Sequence, residues 1–332
     1  MKGSGYFGEN CFNMKKIISI ISIAALIFAG CSKSNLQNKG TTSTSNQSGL
    51  VMTPFGRVPA SQVHSVEPGT EITVLNGRIA KINSQTRALM EDYGAFDPSE
   101  KTPLHARVIP NRQTGSVKDI PSEPVGNGYL TYYTIPSGTT ISSFSTTWTV
   151  PNNPEYIDTP GYQTYFIWNG LESGDGNTFM QPVLEWGNIN GARYDIANWG
   201  ALNNNYFHGT AIDVNPGTQI TGVMTLTAST KKSYTYSIAF TGYPSATYTE
   251  TFKEPATTLY EDFEAYTSDY IYWPNSTDVS MMSNVLMLKG ESANQEITWT
   301  IDSDGAAYTP SGKNTLVYDN GTTSNYVNFY FR

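Results

Sequence analysis

The chain has 332 residues, with 20 Lys and Arg against 28 Asp and Glu and a formal net charge of -8. Charged residues make up only 14%, whereas 22 Tyr, 14 Phe and 6 Trp bring the aromatic fraction to 13%. That balance favours β-rich folds and excludes coiled coils and helical repeats. The shortage of cationic side chains leaves nothing to neutralise a phosphate backbone, so no nucleic-acid partner is expected.

The N-terminus reads as an export leader. Met14-Lys15-Lys16 precedes an apolar run over 17–28 and the small pair Ala29-Gly30, followed by Cys31. This is the order of a basic region, a hydrophobic region and a lipobox, with Met14 as start and Cys31 as the lipidated residue. The expectation is export and lipid anchoring to a bacterial cell envelope, with ordinary secretion as the alternative. Cys11 and Cys31 are the two cysteines of the chain, so the processed protein carries no disulfide. Residues 32–49, nearly all Ser, Thr, Asn, Gln, Lys and Gly, contain one large apolar residue and read as a flexible tether.

Residues 50–95 form a small mixed unit in this reading. The runs 71–75 and 78–82 flank Asn76-Gly77, a hairpin signal, and 85–93 is expected to be a short helix. The unit is small for independent stability, which points to a pro-segment or lid docked on the following domain, or to a spacer. A Pro-rich linker covers 96–125. From 126 to 332, β-type runs recur between Gly, Pro, Asn and Asp clusters. They lie at 129–135, 142–150, 162–168, 178–186, 193–199, 207–214, 219–227, 233–241, 247–252, 258–266, 279–288, 295–301, 315–318 and 325–331. So many strands at this spacing imply an all-β, two-sheet antiparallel sandwich.

Several chemistries drop out on inventory. His64, His105 and His208 lie in separate segments and no cysteine remains as a nucleophile, so neither a Ser-His-Asp triad nor zinc spacing is present. No phosphate loop precedes a helix; no metal or other cofactor is expected. Within 178–186, Met180, Pro182, Leu184 and Trp186 share one face, and Phe179, Gln181, Val183 and Glu185 the other. Pro182 cannot donate to a ladder, which predicts a sheet edge or bulge near Gln181. Within 258–266, Glu261 alternates with Leu259, Phe263 and Ala265. Desolvation among such neighbours raises a carboxyl pKa, the preparation that acid-base catalysis needs. His208 reads as structural.

These residues also resemble a family, the glutamic endopeptidases of the eqolisin type. Trp168-Asn169-Gly170-Leu171, then Met180-Gln181-Pro182-Val183-Leu184-Glu185, Tyr194-Asp195 with Asn198-Trp199, Val214 to Ile220 and Glu261-Asp262-Phe263-Glu264 are similar to the family's motifs over about 129–290. The resemblance implies a concanavalin A-like sandwich and acid-active cleavage of protein or peptide substrates, here in a divergent member that the lipobox makes a lipoprotein; a monomer is expected. It implies Glu261 as general base and acid, Gln181 as oxyanion stabiliser, and Trp168, Glu185 and Trp199 along the substrate cleft. Pro182, Val183, Glu185, Asn169 and Leu171 depart from the family pattern.

Two other readings compete. A surface-anchored carbohydrate-binding module would stack sugars on Tyr162, Trp168, Trp186, Trp199 or Trp273, with Trp148 and Trp299 in the core. A glycoside hydrolase would set Glu185 and Glu261 against each other across one cleft.

Overall fold

Alternation of apolar and polar side chains over most of the sequence after residue 126 dictates strands that bury one face, and strands are what form. The computed structural model describes residues 49–102, 127–155, 157, 164–188, 191–266, 273–274, 280–301, 316–319 and 325–329. The leader, Cys31, the tether up to residue 48 and residues 103–126 lie outside them. The described residues belong to one compact unit.

In chain order the strands are β1 (Leu50–Thr53), β2 (Gly56–Pro59), β3 (Val63–Ser65), β4 (Thr70–Leu75), β5 (Arg78–Asn83), β6 (Leu89–Ala95) and β7 (Asn127–Thr134). Then come β8 (Ile141–Thr149), β9 (Tyr165–Ser173), β10 (Thr178–Trp186), β11 (Tyr194–Leu202), β12 (Asn205–His208), β13 (Ile212–Val214) and β14 (Gln219–Ser229). The remainder are β15 (Tyr234–Phe240), β16 (Tyr243–Phe252), β17 (Ala256–Ala265), β18 (Ser280–Leu288), β19 (Thr300–Ile301), β20 (Leu316–Asp319) and β21 (Tyr326–Phe329). Among the described residues the single helical turn is the 3-10 turn Ala60–Gln62, and no helix is long and apolar enough to cross a membrane.

A nine-stranded sheet runs β19-β7-β17-β9-β10-β11-β12-β3, with β13 also on β11, and a ten-stranded sheet runs β20-β21-β18-β8-β14-β15-β16-β4-β5-β6. This is the expected all-β sandwich. The run expected at 207–214 splits into β12 and β13, which both pair with β11, and of 295–301 only Thr300–Ile301 is strand.

The N-terminal segment departs most from expectation. The β4–β5 hairpin forms around Asn76 and Gly77, both at positive φ, the geometry a two-residue turn of this type requires. The helix expected at 85–93 is absent. Asn83 Oδ1 accepts the backbone N–H groups of Gln85 and Thr86 at 3.1 and 2.8 Å, and Arg87 sits at φ 59°. A local side-chain turn thus outcompetes helix, and the chain returns as edge strand β6. Its pairing with β5 shifts register twice, bulges that discourage edge-to-edge association. β3 extends the nine-stranded sheet in parallel with β12, and β4 extends the ten-stranded sheet in parallel with β16. Residues 63–95 are therefore built into both sheets.

The main core lies between the sheets and includes Phe144, Trp148, Leu184, Trp186, Ile238 and Trp299. β15 alternates buried and half-buried residues, whereas β9, β10 and β11 are buried at every position. Their second face is covered as well. The β1–β2 hairpin lays Val51, Met52, Phe55 and Val58 on a second apolar cluster that contains Trp168, Phe179, Trp199 and Tyr260.

The core also holds a carboxyl. Glu250 on β16 is fully buried, and neither oxygen has a hydrogen-bond partner among the described residues. A Cβ on Gly200 would collide with it, so that glycine makes its room. Burial pushes the Glu250 pKa well above its usual 4.5. A raised folded-state pKa means stability that is fully present below about pH 4.5 and declines by about 1.4 kcal/mol per pH unit above it, until the folded pKa is passed. Glu250→Gln is expected to raise the melting temperature at pH 7–8 and leave it nearly unchanged at pH 4, as read by thermal denaturation across pH.

Candidate functional site

β9 pairs with both β10 and β17, and its register decides which way each candidate points. Glu261 stands opposite Asn169, Tyr260 opposite Gly170, and Asp262 opposite Trp168. On the other side Val183 stands opposite Trp168 and Met180 opposite Leu171, so Pro182 falls in line with Asn169, and Gln181 with Gly170. The β9 ladder lapses at Gln181 and Pro182 and resumes in the same register, as a residue without an N–H allows. On its other side β10 pairs with β11 without interruption through Pro182 and Asn198. β10 is thus an interior strand with no bulge, and the edge expected from Pro182 is not there.

The row of Glu261, Asn169 and Pro182 faces the ten-stranded sheet. A Cβ on Gly222 of β14 would lie 2.6 Å from Pro182 Cβ and 2.7 Å from Asn169 Oδ1, and Thr146 of β8 donates to Glu261 Oε1 at 3.1 Å. Gln181, one residue from Pro182, faces outward. The sheet therefore separates Gln181 from Glu261 and does not bring them together. Glu185 shares the outward face with Gln181, so the opposed carboxyl pair Glu185 and Glu261 of the glycosidase reading is not formed either.

Glu261 is fully buried in the sandwich. Desolvation pushes its pKa well above the usual carboxylate range, against the opposing pull of Asn284 and Thr146. Thr146 Oγ1 also lies 2.7 Å from Asn284 Oδ1. The raised pKa expected from sequence is present, but inside the core.

The outward face collects a different set. Gln181 is fully buried, and neither amide atom has a hydrogen-bond partner among the described residues. Gly170 beside it has no side chain, and the Phe179 ring takes that space, so a Cβ there would collide with the ring. Beyond Gly170 stands Tyr260, whose hydroxyl donates to Glu172 Oε2 at 2.6 Å. Thr102 Oγ1 donates to Glu172 Oε1 at 2.5 Å. Glu172 is two residues from Gly170 on the same face, diagonal to Gln181, a separation of about 7–8 Å that long side chains span. Glu172 and Tyr260 were not singled out from sequence. The signal was the period of two: Trp168, Gly170 and Glu172 share a face as Gln181 and Tyr260 do.

Trp199, opposite Gln181, donates its indole N–H to Glu185 Oε1, and Asn188 Nδ2 donates to Oε2 at 3.0 Å. Asp195 stands directly across from Glu185. Burial pushes the Glu185 pKa up to about 7; Trp199 and Asn188 pull it down and Asp195 pushes it up. Trp168 is also buried on this face, edge-on to Phe179 at 5.6 Å. The tryptophans suggested as sugar platforms are covered: Trp168 and Trp199 lie under the hairpin cluster, and Trp186 and Trp273 lie between the sheets. Tyr162 lies outside the described residues. His208 is within 3.1 Å of the Ser65 hydroxyl and of the Gly209 carbonyl, a structural placement. Among the described residues no group of three or more His, Cys, Asp or Glu is placed to hold a metal ion.

No family model and no curated protein matches the chain. Among solved structures, scytalido-glutamic peptidase with a peptide-based transition-state analogue is similar at 13% identity and a TM-score of 0.36 over 62% of this chain and 98% of that one. The same peptidase with a transition-state analogue inhibitor is similar at 12% and 0.37 over the same shares. The CBM2 module of the Lactobacillus casei BL23 phage J-1 evolved Dit is similar at 12% and 0.26, over 41% of this chain and 60% of that one. These are distant likenesses of architecture and assign no residue a role.

The Glu185 surroundings make opposite predictions for two substitutions. Trp199→Phe removes a donor to the charged form and is expected to raise the Glu185 pKa above about 7. Asp195→Asn removes a like charge and is expected to lower it. Carboxyl-carbon NMR titration of the wild type and both variants checks both directions.

Proposed function

We propose that the chain is a peptide-bond hydrolase whose site is the outward face of the nine-stranded sheet around Gly170, with Gln181 and Glu172 as its catalytic pair. The observation that carries the reading is the buried Gln181 amide, without a hydrogen-bond partner among the described residues, set diagonally from a carboxylate that Tyr260 holds by a hydrogen bond. A buried amide with unmet hydrogen-bonding capacity is costly. It is met when a substrate carbonyl accepts from its N–H.

In this mechanism Glu172 takes a proton from a water as the water oxygen bonds to the scissile carbonyl carbon. The carbonyl oxygen becomes an oxyanion and accepts from the Gln181 amide. Glu172 then returns the proton to the leaving nitrogen as the carbon–nitrogen bond breaks. Tyr260 orients the carboxylate, while Trp199, Trp168 and Glu185 form the wall beside Gln181. A peptide is favoured over a sugar because the face is already covered by an extended stretch of polypeptide, the β1–β2 hairpin, and the aromatic rings lie beneath it. Glu261 has a structural role in this reading. The protein acts as a monomer outside the cell membrane, held by lipid at Cys31.

Hydrolysis of a denatured protein across pH 2–7 tests the assignment. Gln181→Ala is expected to lower kcat by about 10²–10³-fold, the usual loss for one oxyanion donor. Glu172→Gln is expected to lower it by about 10²–10⁴-fold, the usual contribution of acid-base catalysis. Glu261→Gln is expected to leave the rate within a few-fold. Loss of activity in Glu261→Gln with retention in Glu172→Gln would return the carboxyl role to Glu261.

A further inference from the structure

We infer that the β1–β2 hairpin is a built-in peptide ligand of the Gln181 face, and that Phe55 at its tip occupies a subsite for a large aromatic side chain. The inference deepens the hydrolase reading, which it needs for its consequence for cleavage, but its peptide-binding claim stands on packing.

The hairpin forms a two-stranded sheet of its own, paired only within itself among the described residues. An isolated two-stranded ribbon is marginal in water. Side-chain packing on the aromatic face is therefore what holds it, and packing can be exchanged for that of another peptide. Its tip is preset: Thr53 Oγ1 accepts the Phe55 N–H at 3.1 Å and donates to the Gly56 carbonyl at 2.8 Å. This turn aims the Phe55 ring between Tyr206, centroids 5.2 Å apart, and the edge of Phe179, 5.9 Å apart.

Phe179 fills the space over Gly170 and meets Tyr260 edge-on at 5.6 Å. The subsite thus adjoins Gln181 and Glu172. A second stretch of the chain reaches the same spot, because the Thr102 hydroxyl occupies Glu172 Oε1. Two separate segments, one before β3 and one after β6, close on one constellation. An extended peptide with Phe or Tyr placed as Phe55 is placed competes with the hairpin, and its apparent affinity is reduced by the fraction of molecules in which the hairpin is docked.

The test uses the full chain, wild type and Phe55→Asp, and a fluorescent peptide with the sequence of residues 49–59. A carboxylate at position 55 cannot be buried between two aromatic rings without a partner, so the tip is displaced. The peptide is expected to bind Phe55→Asp at least 10-fold more tightly than wild type, and a peptide with Gly in place of its Phe at least 10-fold more weakly than the parent. Equal binding to both proteins, or indifference to the Phe, overturns the inference. If Phe55→Asp shows no cooperative melting transition, Phe55→Ala replaces it with the same direction expected. Hydrolysis of an unrelated Phe-containing peptide is followed in parallel and is expected to be faster in the variant. Tighter peptide binding without hydrolysis by either protein supports the peptide site and overturns the hydrolase reading, so the two failures are distinguishable.

Discussion

The register of β9 between β10 and β17 is the constraint on which everything else depends. The side-chain period of a strand is two, so a slip of one residue would exchange every side chain between the sandwich interior and the outward face. Apolar residues on the inner face pin that register. Ile167, Leu171, Met180, Leu184, Leu259 and Phe263 all enter the inter-sheet core. Glu261, Asn169 and Pro182 are carried inward with them, and Gln181, Gly170 and Tyr260 are carried outward. The fate of each polar side chain is thus decided by its apolar neighbours in the strand.

Glycine completes the arrangement at two places that oppose each other through the sheet. On the inner side Gly222 of the facing sheet allows close approach to Pro182 and Asn169; on the outer side Gly170 opens the space taken by Phe179. The inner polar groups, Glu250 and Glu261, are fully buried between the sheets, and burial favours their protonated forms. The same desolvation that makes a carboxyl a good acid catalyst in a cleft makes it a neutral spacer in a core. Which of the two it is depends on access, and access to the outward face runs through the hairpin.

Much of this was legible in the sequence. The run 178–186 is a strand with the boundaries its alternation indicates, and the Asn76-Gly77 hairpin forms at its turn signal. Trp148 and Trp299 both lie in the core, Trp148 on β8, where it alternates with small polar residues, and Trp299 just before β19. The sequence also indicates which residues share a face with Gln181 and which with Glu261. What it does not carry is the relation between the two strands: β10 and β17 are separated by β9, and only the pairing fixes whether odd positions of one match odd or even positions of the other. Pro182 misleads for a related reason, because one lapse in a ladder is tolerated when the opposite edge of the strand stays paired. β1 and β2 were missed because four-residue strands beside Pro54 and Pro59 give little periodic signal.

The central claim, that Gln181 and Glu261 lie on opposite faces, is tested most directly by thiol accessibility. In a chain with Cys11 and Cys31 changed to Ser, the only thiol is the one introduced. With the hairpin displaced by Phe55→Asp, the thiol of Gln181→Cys is predicted to react with a small aqueous reagent under native conditions. The thiol of Glu261→Cys, enclosed between the sheets, is predicted to react only on unfolding. Native-state labelling at position 261 as rapid as at 181 would contradict the account and place both side chains on one accessible face.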